Sequence, residues 1–353
     1  MRSLASKSAV AAVSLLVAAA SPAIAPPALA GQVMDDIRST GEVICLVNSN
    51  SPGFSVPGSD GIYKGFNPEF CRMAAAAIFG DAEKADIRGI GFSDSMKTIV
   101  AGDAHMASRS ITNTGTRDAD PGMAFVVTTF FDGQGFMVPK SLGISRASQL
   151  EGATVCAEEG STTLLNIADW FTDHGISYRV ENIADKTARL QAFFGGKCDV
   201  MSSDFSALAA DRLLAENPKD YTLLPDVISN EPLTIVARPD QELEAALFWA
   251  FQVMLWAEQF DITSETINEV VADLERQPKA VQRLFGRDSA MGDIAAKLGL
   301  HEDWAIEVVR QVGNYGEVFE RTIGADTAMG IDRGGSPNRL WTEGGLLYAY
   351  PIR

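Results

Sequence analysis

The sequence predicts a two-lobed α/β fold, and three observations lead to this prediction. Strand-like and helix-like segments alternate as β-α-β-α-β twice along the chain, a pattern typical of mostly parallel sheets covered by helices. The chain has 353 residues and, even without its N-terminal leader, is long for a single core, so two domains are expected. The four cysteines fall as one early pair and one late pair.

The N-terminus has the three parts of a secretory signal peptide, here assigned to residues 1–30. Arg2 and Lys7 form a basic start, residues 9–20 are apolar, and residues 28–30 read Ala-Leu-Ala, an A-x-A cleavage site. The apolar run is too short to span a bilayer, and prolines after it would interrupt a longer helix. We expect cleavage after Ala30 and an exported chain without membrane insertion; the alternative is a retained anchor.

Charge and cysteine content narrow the function further. Acidic residues outnumber basic ones by 46 to 29, a net charge of −17, so nucleic acid and anionic lipid are not expected as partners. An even number of cysteines in an exported chain indicates disulfides. Pairing within each half would give Cys45–Cys71 and Cys156–Cys198, although the sequence alone allows the other connectivities. Three scattered histidines and no C-x2-C spacing give no reason to expect a metal site.

The first series of elements follows a short helix at 34–39. It comprises a strand at 43–47, a helix at 69–79, a strand at 85–90, a helix at 94–100 and a strand at 104–107. Gly80 and Gly102 fit the positions that end these helices, and Asn67 is predicted as an N-cap. Asn48 ends the first strand, at the sheet edge where open α/β folds bind ligands, or it simply forms a turn.

The loop at 108–118 follows the last of these strands and is the strongest candidate for a binding loop. It carries five Ser/Thr hydroxyls together with Arg109 and Arg117. Hydroxyl and backbone N–H groups donate to carboxylate oxygens, and a guanidinium can bind both oxygens at once. The alternative is a solvated turn whose hydroxyls bond the local backbone.

The second series repeats the pattern after extended runs at 125–131 and 135–138. It comprises strands at 153–157, 178–182 and 198–202 and helices at 164–173, 187–195 and 207–216. An extended run at 221–228, a strand at 231–238 and helices at 245–259 and 264–275 follow. Glu158 and Asp204 end strands and are either ligand contacts or helix-start residues. Aromatic residues of the tail, 278–353, are expected to cover a core.

Catalytic signatures are missing from the sequence. It contains no G-x-G-x-x-G, P-loop, G-x-S-x-G or H-E-x-x-H motif, and the three histidines suggest no triad. Cysteines held in disulfides could not act as nucleophiles. These observations favour ligand binding over catalysis, and no cofactor is expected.

Several segments are characteristic of one protein family: 51–55, 65–66, 70–72, 131–140, 150–156, 197–200, 228–233, 311–321 and the Leu-Trp-Thr and Pro-Ile-Arg near the end. Through them the chain resembles the amino-acid-binding proteins of bacterial ABC transporters, in particular the general L-amino-acid-binding branch. The resemblance implies a type II periplasmic-binding-protein fold, with two mixed β-sheets flanked by helices and a hinge of two crossing strands. Lobe one would be 31–138 plus 232–353, with a C-terminal extension, and lobe two 139–231. A periplasmic monomer that delivers its ligand to permease subunits is implied.

The resemblance also implies the ligand site. Arg117 would bind the ligand α-carboxylate with Thr112 and backbone groups near Ser110 and Thr162, and Asp204 would accept the α-ammonium. The side-chain pocket would include Asn48, Met96 and Glu158, with Arg109 as a second basic candidate. Met96 stands where the family has an aromatic residue, which implies a changed side-chain preference. Glu158 stands where the family has Gln, and from this residue a polar or cationic ligand side chain is expected.

Two other functions remain open on the sequence. One is a periplasmic enzyme on the same fold, similar to cyclohexadienyl dehydratases, for which Glu158 or Glu159 would have to supply acid–base chemistry. The other is a sensory ligand-binding module.

Overall fold

The computed structural model describes residues 31–353, so the predicted signal peptide lies outside the described residues. The strands are β1 (Val43–Asn48), β2 (Val56–Pro57), β3 (Tyr63–Lys64), β4 (Ala85–Ile90), β5 (Met106–Ala107), β6 (Ala124–Pro139), β7 (Ala153–Glu158), β8 (Tyr178–Ile183), β9 (Val200–Asp204), β10 (Tyr221–Leu223) and β11 (Ser229–Ala237). The helices are α1 (Gln32–Thr40), α2 (Phe66–Phe79), α3 (Phe92–Ala101), α4 (Gly115–Asp118), α5 (Thr162–Asp173), α6 (Lys186–Phe194), α7 (Phe205–Arg212), α8 (Gln241–Gln259), α9 (Ile267–Ala272), α10 (Lys279–Phe285), α11 (Ala290–Leu298), α12 (Trp304–Val312) and α13 (Tyr315–Thr322).

Within the described range, nine strands form a mixed sheet in the order β4-β1-β5-β11-β6-β9-β7-β8, with β10 beside β6. β1 is parallel to β4 and β5, and β7 is parallel to β8 and β9, as the two β-α series predict. β6 and β11 are antiparallel to their neighbours. The predicted α/β class is therefore confirmed.

Two long strands join the halves of this sheet. The runs predicted at 125–131 and 135–138 form one strand, β6, whose 16 residues pair with β11 and then with β9. Within this strand, Gly135 lies under the Phe205 ring, where an added Cβ would be 2.5 Å from ring atoms. Close packing, rather than chain reversal, explains this glycine. The two predicted sheets are thus continuous through the crossing strands.

Buried apolar residues form separate clusters on the two halves of the sheet. In the second half, Phe136 and Val138 face one apolar cluster and Met137 faces another, because alternate strand side chains point to opposite faces. The cluster of the first half is larger and draws on α2, α8 and α12 as well as the chain's last segment. The structure contains the disulfides Cys45–Cys71 and Cys156–Cys198, one in each half, so the predicted pairing is confirmed.

Several element boundaries differ from the predicted ones. α2 begins at Phe66, so Asn67 lies inside the helix and the prediction of an Asn67 N-cap is wrong. Gly65, at φ 128°, makes the entry into this helix, a conformation that residues with a Cβ rarely adopt. The helix predicted at 264–275 is split into α9 and a 3₁₀ turn, Leu274–Arg276. Of the run 221–228, residues Tyr221–Leu223 form a strand.

The tail packs on the first half of the molecule. The tail aromatics Phe285, Trp304, Tyr315 and Phe319 are buried in the first core, as expected. Nearer the chain's end, Leu340, Leu347 and Ile352 are buried and Trp341 is about half exposed. The Asn338 amide bonds both backbone groups of Phe131 (2.7 and 2.9 Å) on β6, as a neighbouring strand would. No helix within residues 31–353 combines the length and apolar character needed to cross a bilayer.

Candidate functional site

A cavity of about 320 Å³ lies where the loop at 108–118 faces the carboxyl ends of β1, β7 and β9. Its walls come from both halves of the sheet, and its size is typical of small-molecule sites. The structure brings eight of the predicted ligand residues to these walls: Asn48, Arg109, Ser110, Thr112, Arg117, Glu158, Thr162 and Asp204. Met96 instead packs, partly buried, against the apolar cluster that contains Ile99 and Met123, and its predicted pocket role has no support in this placement.

Arg117 is held in place by the loop that carries it. Thr114 caps the short helix α4 by accepting a hydrogen bond from the Arg117 backbone N–H (3.3 Å). The guanidinium donates to the carbonyl oxygens of Thr112 (3.0 Å) and Gly160 (3.5 Å), which belong to opposite halves. Burial lowers the pKa of Arg117, and the carboxylates of Glu231 and Asp204 oppose this shift.

Phe92, at the start of α3, is an aromatic wall that sequence reasoning missed. The guanidinium carbons of Arg109 and Arg117 each lie 5.2 Å from the centre of its ring. Such cation–π contacts hold both guanidinium groups beside the cavity. The aromatic residue beside the cavity is thus Phe92, four residues before Met96, where the family resemblance had placed an aromatic residue. The sequence signal for Phe92 was its position directly after Gly91 at the start of a helix.

Arg109 is one of the most buried charges in the site. Its side chain is 7% exposed and donates to the Gly91 carbonyl (3.2 Å) and to Ser95 Oγ (2.9 Å). Burial lowers the pKa of Arg109 to about 10, although Glu158 nearby favours the charged form.

Glu158 lies in a cluster of ion pairs in which acidic and basic side chains balance each other. Arg189 lies 3.9 Å from Glu158 and 2.8 Å from Asp211, and Lys186 lies 2.7 Å from Asp211. Burial raises the pKa of Glu158, while Arg189 and Arg109 lower it. Arg189 and Lys186 also line the cavity, and neither was predicted as a site residue.

Asp204 occupies the end of β9 and the residue before α7. Within residues 31–353 its side chain makes no capping hydrogen bond; Asp132 instead accepts the N–H of Ser206 (3.1 Å). Burial raises the pKa of Asp204 well above its usual value, and the neighbouring Asp132 and Glu231 add to the shift. Burial also raises the pKa of Asp132, to about 6. Asp204, which lines the cavity, is therefore suited to a cationic group, whose charge would offset the cost of burying the ionised carboxylate.

Glu231 on β11 connects the two halves beneath the cavity. Only 2% of it is exposed, and its carboxylate accepts hydrogen bonds from Thr112 (2.6 Å), Thr162 (3.2 Å), Asn166 (2.8 Å) and Ser229 (2.5 Å). Sequence reasoning assigned it only to a strand. A carboxylate next to the apolar residues of this strand was the signal, since a buried charge requires partners.

Asn48 is oriented by Asn67. The Asn67 amide donates to Asn48 Oδ1 (2.8 Å), so the amide nitrogen of Asn48 remains to serve the cavity. This contact explains the polar residue inside α2. No group of His, Cys, Asp or Glu in the described part of the chain is arranged to hold a metal ion.

Comparison with known proteins places this geometry in a family. No protein-family model matches the chain. The glutamate/glutamine/aspartate/asparagine-binding protein BztA of Rhodobacter capsulatus is 38% identical over 332 residues, which cover 94% of this chain and 96% of BztA. The chain belongs to the amino-acid-binding proteins of ABC transporters. Within this family, the general L-amino acid-binding periplasmic protein AapJ of Rhizobium johnstonii is 36% identical over 345 residues, covering 96% of this chain and 98% of AapJ.

A solved structure of this binding-protein family shares the fold closely. The periplasmic binding protein of an ABC transporter from Brucella ovis, determined with glutathione bound, superposes with a TM-score of 0.85 at 34% identity. The match covers 91% of this chain and 99% of that protein. The predicted family and the type II binding-protein fold are therefore confirmed.

Proposed function

We propose that this protein captures an L-amino acid, or a close analogue, in the cavity between its halves and delivers it to the permease subunits of an ABC importer. The observation that carries the proposal is that Arg117 and Asp204 both lie on the walls of one cavity. A guanidinium and a buried carboxylate match the two charges of an amino-acid zwitterion. Membership of the amino-acid-binding family supports this chemistry, and the relatives' names describe binding rather than catalysis.

Ligand capture would proceed by closure of two lobes, 31–138 plus 232–353 and 139–231. The separate cores and the two crossing strands, β6 and β11, support this division. A ligand that contacts both lobes stabilises the closed state by its differential affinity. The protein would act as a periplasmic monomer after removal of residues 1–30, in keeping with its periplasmic relatives.

Calorimetric titration with the twenty standard amino acids tests the function, after unfolding and refolding to remove carried-over ligand. At least one amino acid should bind. Arg117→Ala should weaken this binding by about 2–5 kcal/mol, because the ligand carboxylate would lose its charged partner. Arg276→Ala, which alters an arginine whose side chain is 84% exposed, is the matched control and should bind normally. Unchanged affinity in Arg117→Ala would contradict the proposed clamp.

A further inference from the structure

Arg109 is a buried cation without a direct anionic partner. Among residues 31–353, no carboxylate oxygen lies within 4.0 Å of its guanidinium, and its buried Nε has no hydrogen-bond partner. The two acceptors that it does have, the Gly91 carbonyl and Ser95 Oγ, are uncharged. Because burial of an uncompensated charge is unfavourable, an anion in the cavity would stabilise this arrangement.

The acidic groups nearest to Arg109 are engaged elsewhere. Glu158 faces Arg189 at 3.9 Å, and Asp211 binds both Arg189 and Lys186. A cationic ligand side chain would have to compete with Arg189 for Glu158 and would also approach Arg109. An anionic group would instead meet Arg109, which has no carboxylate partner among the described residues, whereas Lys186 and Arg189 on the same wall are paired with Asp211.

We infer that Arg109 binds a second carboxylate of the ligand, so that the preferred ligand is an α-amino acid carrying an additional acidic group. The inference rests on the proposed function, in which Arg117 binds the α-carboxylate. The additional group is either an acidic side chain or the terminal carboxylate of a short γ-linked peptide. Both sources present the same chemistry to a guanidinium.

The positions of the two arginines fit such a ligand. Both guanidinium carbons lie 5.2 Å from the centre of the Phe92 ring, so they are at most twice that distance apart. Each can form paired N–H···O bonds of about 2.8 Å with a carboxylate. Two carboxylates joined by a short carbon chain can reach both guanidinium groups across a span of this upper limit, and the cavity of about 320 Å³ leaves room for a small peptide.

Calorimetric titration of the ligand-free protein with L-glutamate and L-glutamine, and with L-aspartate and L-asparagine, tests this inference. The members of each pair differ mainly in the charge of one group. At least one acidic member should bind about tenfold more tightly than its amide, since a charged hydrogen bond is replaced by a neutral one. Glutathione distinguishes the two sources: tighter binding of glutathione than of L-glutamate indicates a peptide carboxylate, and the reverse indicates an acidic side chain.

Variants connect the preference to Arg109. Arg109→Gln should bring the ratio of the glutamine and glutamate dissociation constants close to one, and Arg109→Lys should retain part of the preference. Arg276→Gln removes an exposed arginine and should leave the ratio unchanged. A wild-type protein that binds amides or basic amino acids as tightly as acidic ligands overturns the inference, as does an Arg109→Gln protein that keeps the preference.

The outcomes separate the inference from the proposed function. If neutral or basic amino acids bind best, the protein is still an amino-acid binder and only the role of Arg109 is refuted. If no amino acid and no short peptide binds, both fail. Should Arg109→Gln not fold, the comparison of acidic and amide ligands in the wild-type protein decides the question.

Discussion

Glu231 changes the roles that can be given to Thr112 and Thr162. Both hydroxyls donate to the Glu231 carboxylate, at 2.6 and 3.2 Å, so their protons are already engaged. A ligand carboxylate would then depend on Arg117 and on backbone N–H groups, while the two threonines anchor the loop at 108–118 and the start of α5 to β11. Glu231 is thus a positioning residue that ties the two halves together close to the hinge.

The raised pKa of Asp204 predicts that ligand affinity depends on pH. Burial raises its pKa in the free protein, so the acid is neutral over a wider range than usual, whereas a bound ammonium favours the ionised form. Affinity for an amino acid with an uncharged side chain should therefore increase as pH rises through the raised pKa of Asp204, and below that pKa binding should release a proton. Calorimetry in buffers of different ionisation enthalpy measures this release.

Asp204→Asn is the control for this prediction, and its residual binding should lose most of the pH dependence. If the affinity of the wild-type protein does not change with pH, the assignment of Asp204 as the ammonium partner is contradicted.

The stability of the ligand-free protein should show the opposite trend with pH. A carboxyl group with a raised folded-state pKa stabilises the fold below its unfolded value and loses that contribution as pH rises; for Asp132 this occurs toward pH 6.

At the element scale, the disulfides join strands to their neighbours. Cys156 lies in β7, and Cys198 lies just before β9, the strand that pairs with β7 and carries Asp204. The crosslink therefore supports the part of the second half that faces the cavity. Cys45–Cys71 joins β1 to α2 in the same way in the first half.

Removal of one crosslink should be costly. The double variant Cys156→Ser/Cys198→Ser should lose about 2–5 kcal/mol of unfolding free energy, because its unfolded chain is less constrained. Urea unfolding followed by circular dichroism measures the loss. Thiol titration of the oxidised, unfolded wild-type protein is the complementary measurement, and free thiols there would refute the pairing.

At the scale of the whole molecule, the C-terminal segment is part of the first core and of the hinge region. Leu340, Leu347 and Ile352 are buried, and Asn338 bonds the Phe131 backbone on β6. The Tyr350 backbone also bonds Trp256 (2.7 Å) and Gln252 (2.8 Å) of α8. The last residues thus connect α8 with a crossing strand.

Truncation after Pro337 should lower the unfolding free energy by at least about 3 kcal/mol, because several large apolar side chains lose their burial. Thermal unfolding of the truncated and full-length proteins measures this loss. A chain that lacks only the exposed Arg353 is the control and should unfold like the full-length protein. Equal stability of the truncated protein would show that the segment is dispensable for the fold.

Prediction from sequence succeeded where the signal is local. Gly80 and Gly102 end α2 and α3 in the left-handed conformation, as expected for helix C-termini. The strand predicted at 85–90 has the same bounds as β4. The polar strand ends and the loop at 108–118 also came together around one cavity, because the carboxyl ends of parallel strands share a sheet edge.

The amino-acid sequence by itself determined the α/β class, favoured the pairing of cysteines within each half and pointed to eight of the residues around the cavity. Only the tertiary structure decided that β6 runs unbroken through its glycines, that Phe92 supports two arginines, and that Glu231 bonds Thr112 across 119 residues of sequence. The physical reason is the sequence distance over which each interaction acts. Capping and periodicity act over a few residues, whereas the partner of a buried charge depends on which distant segments the fold brings together.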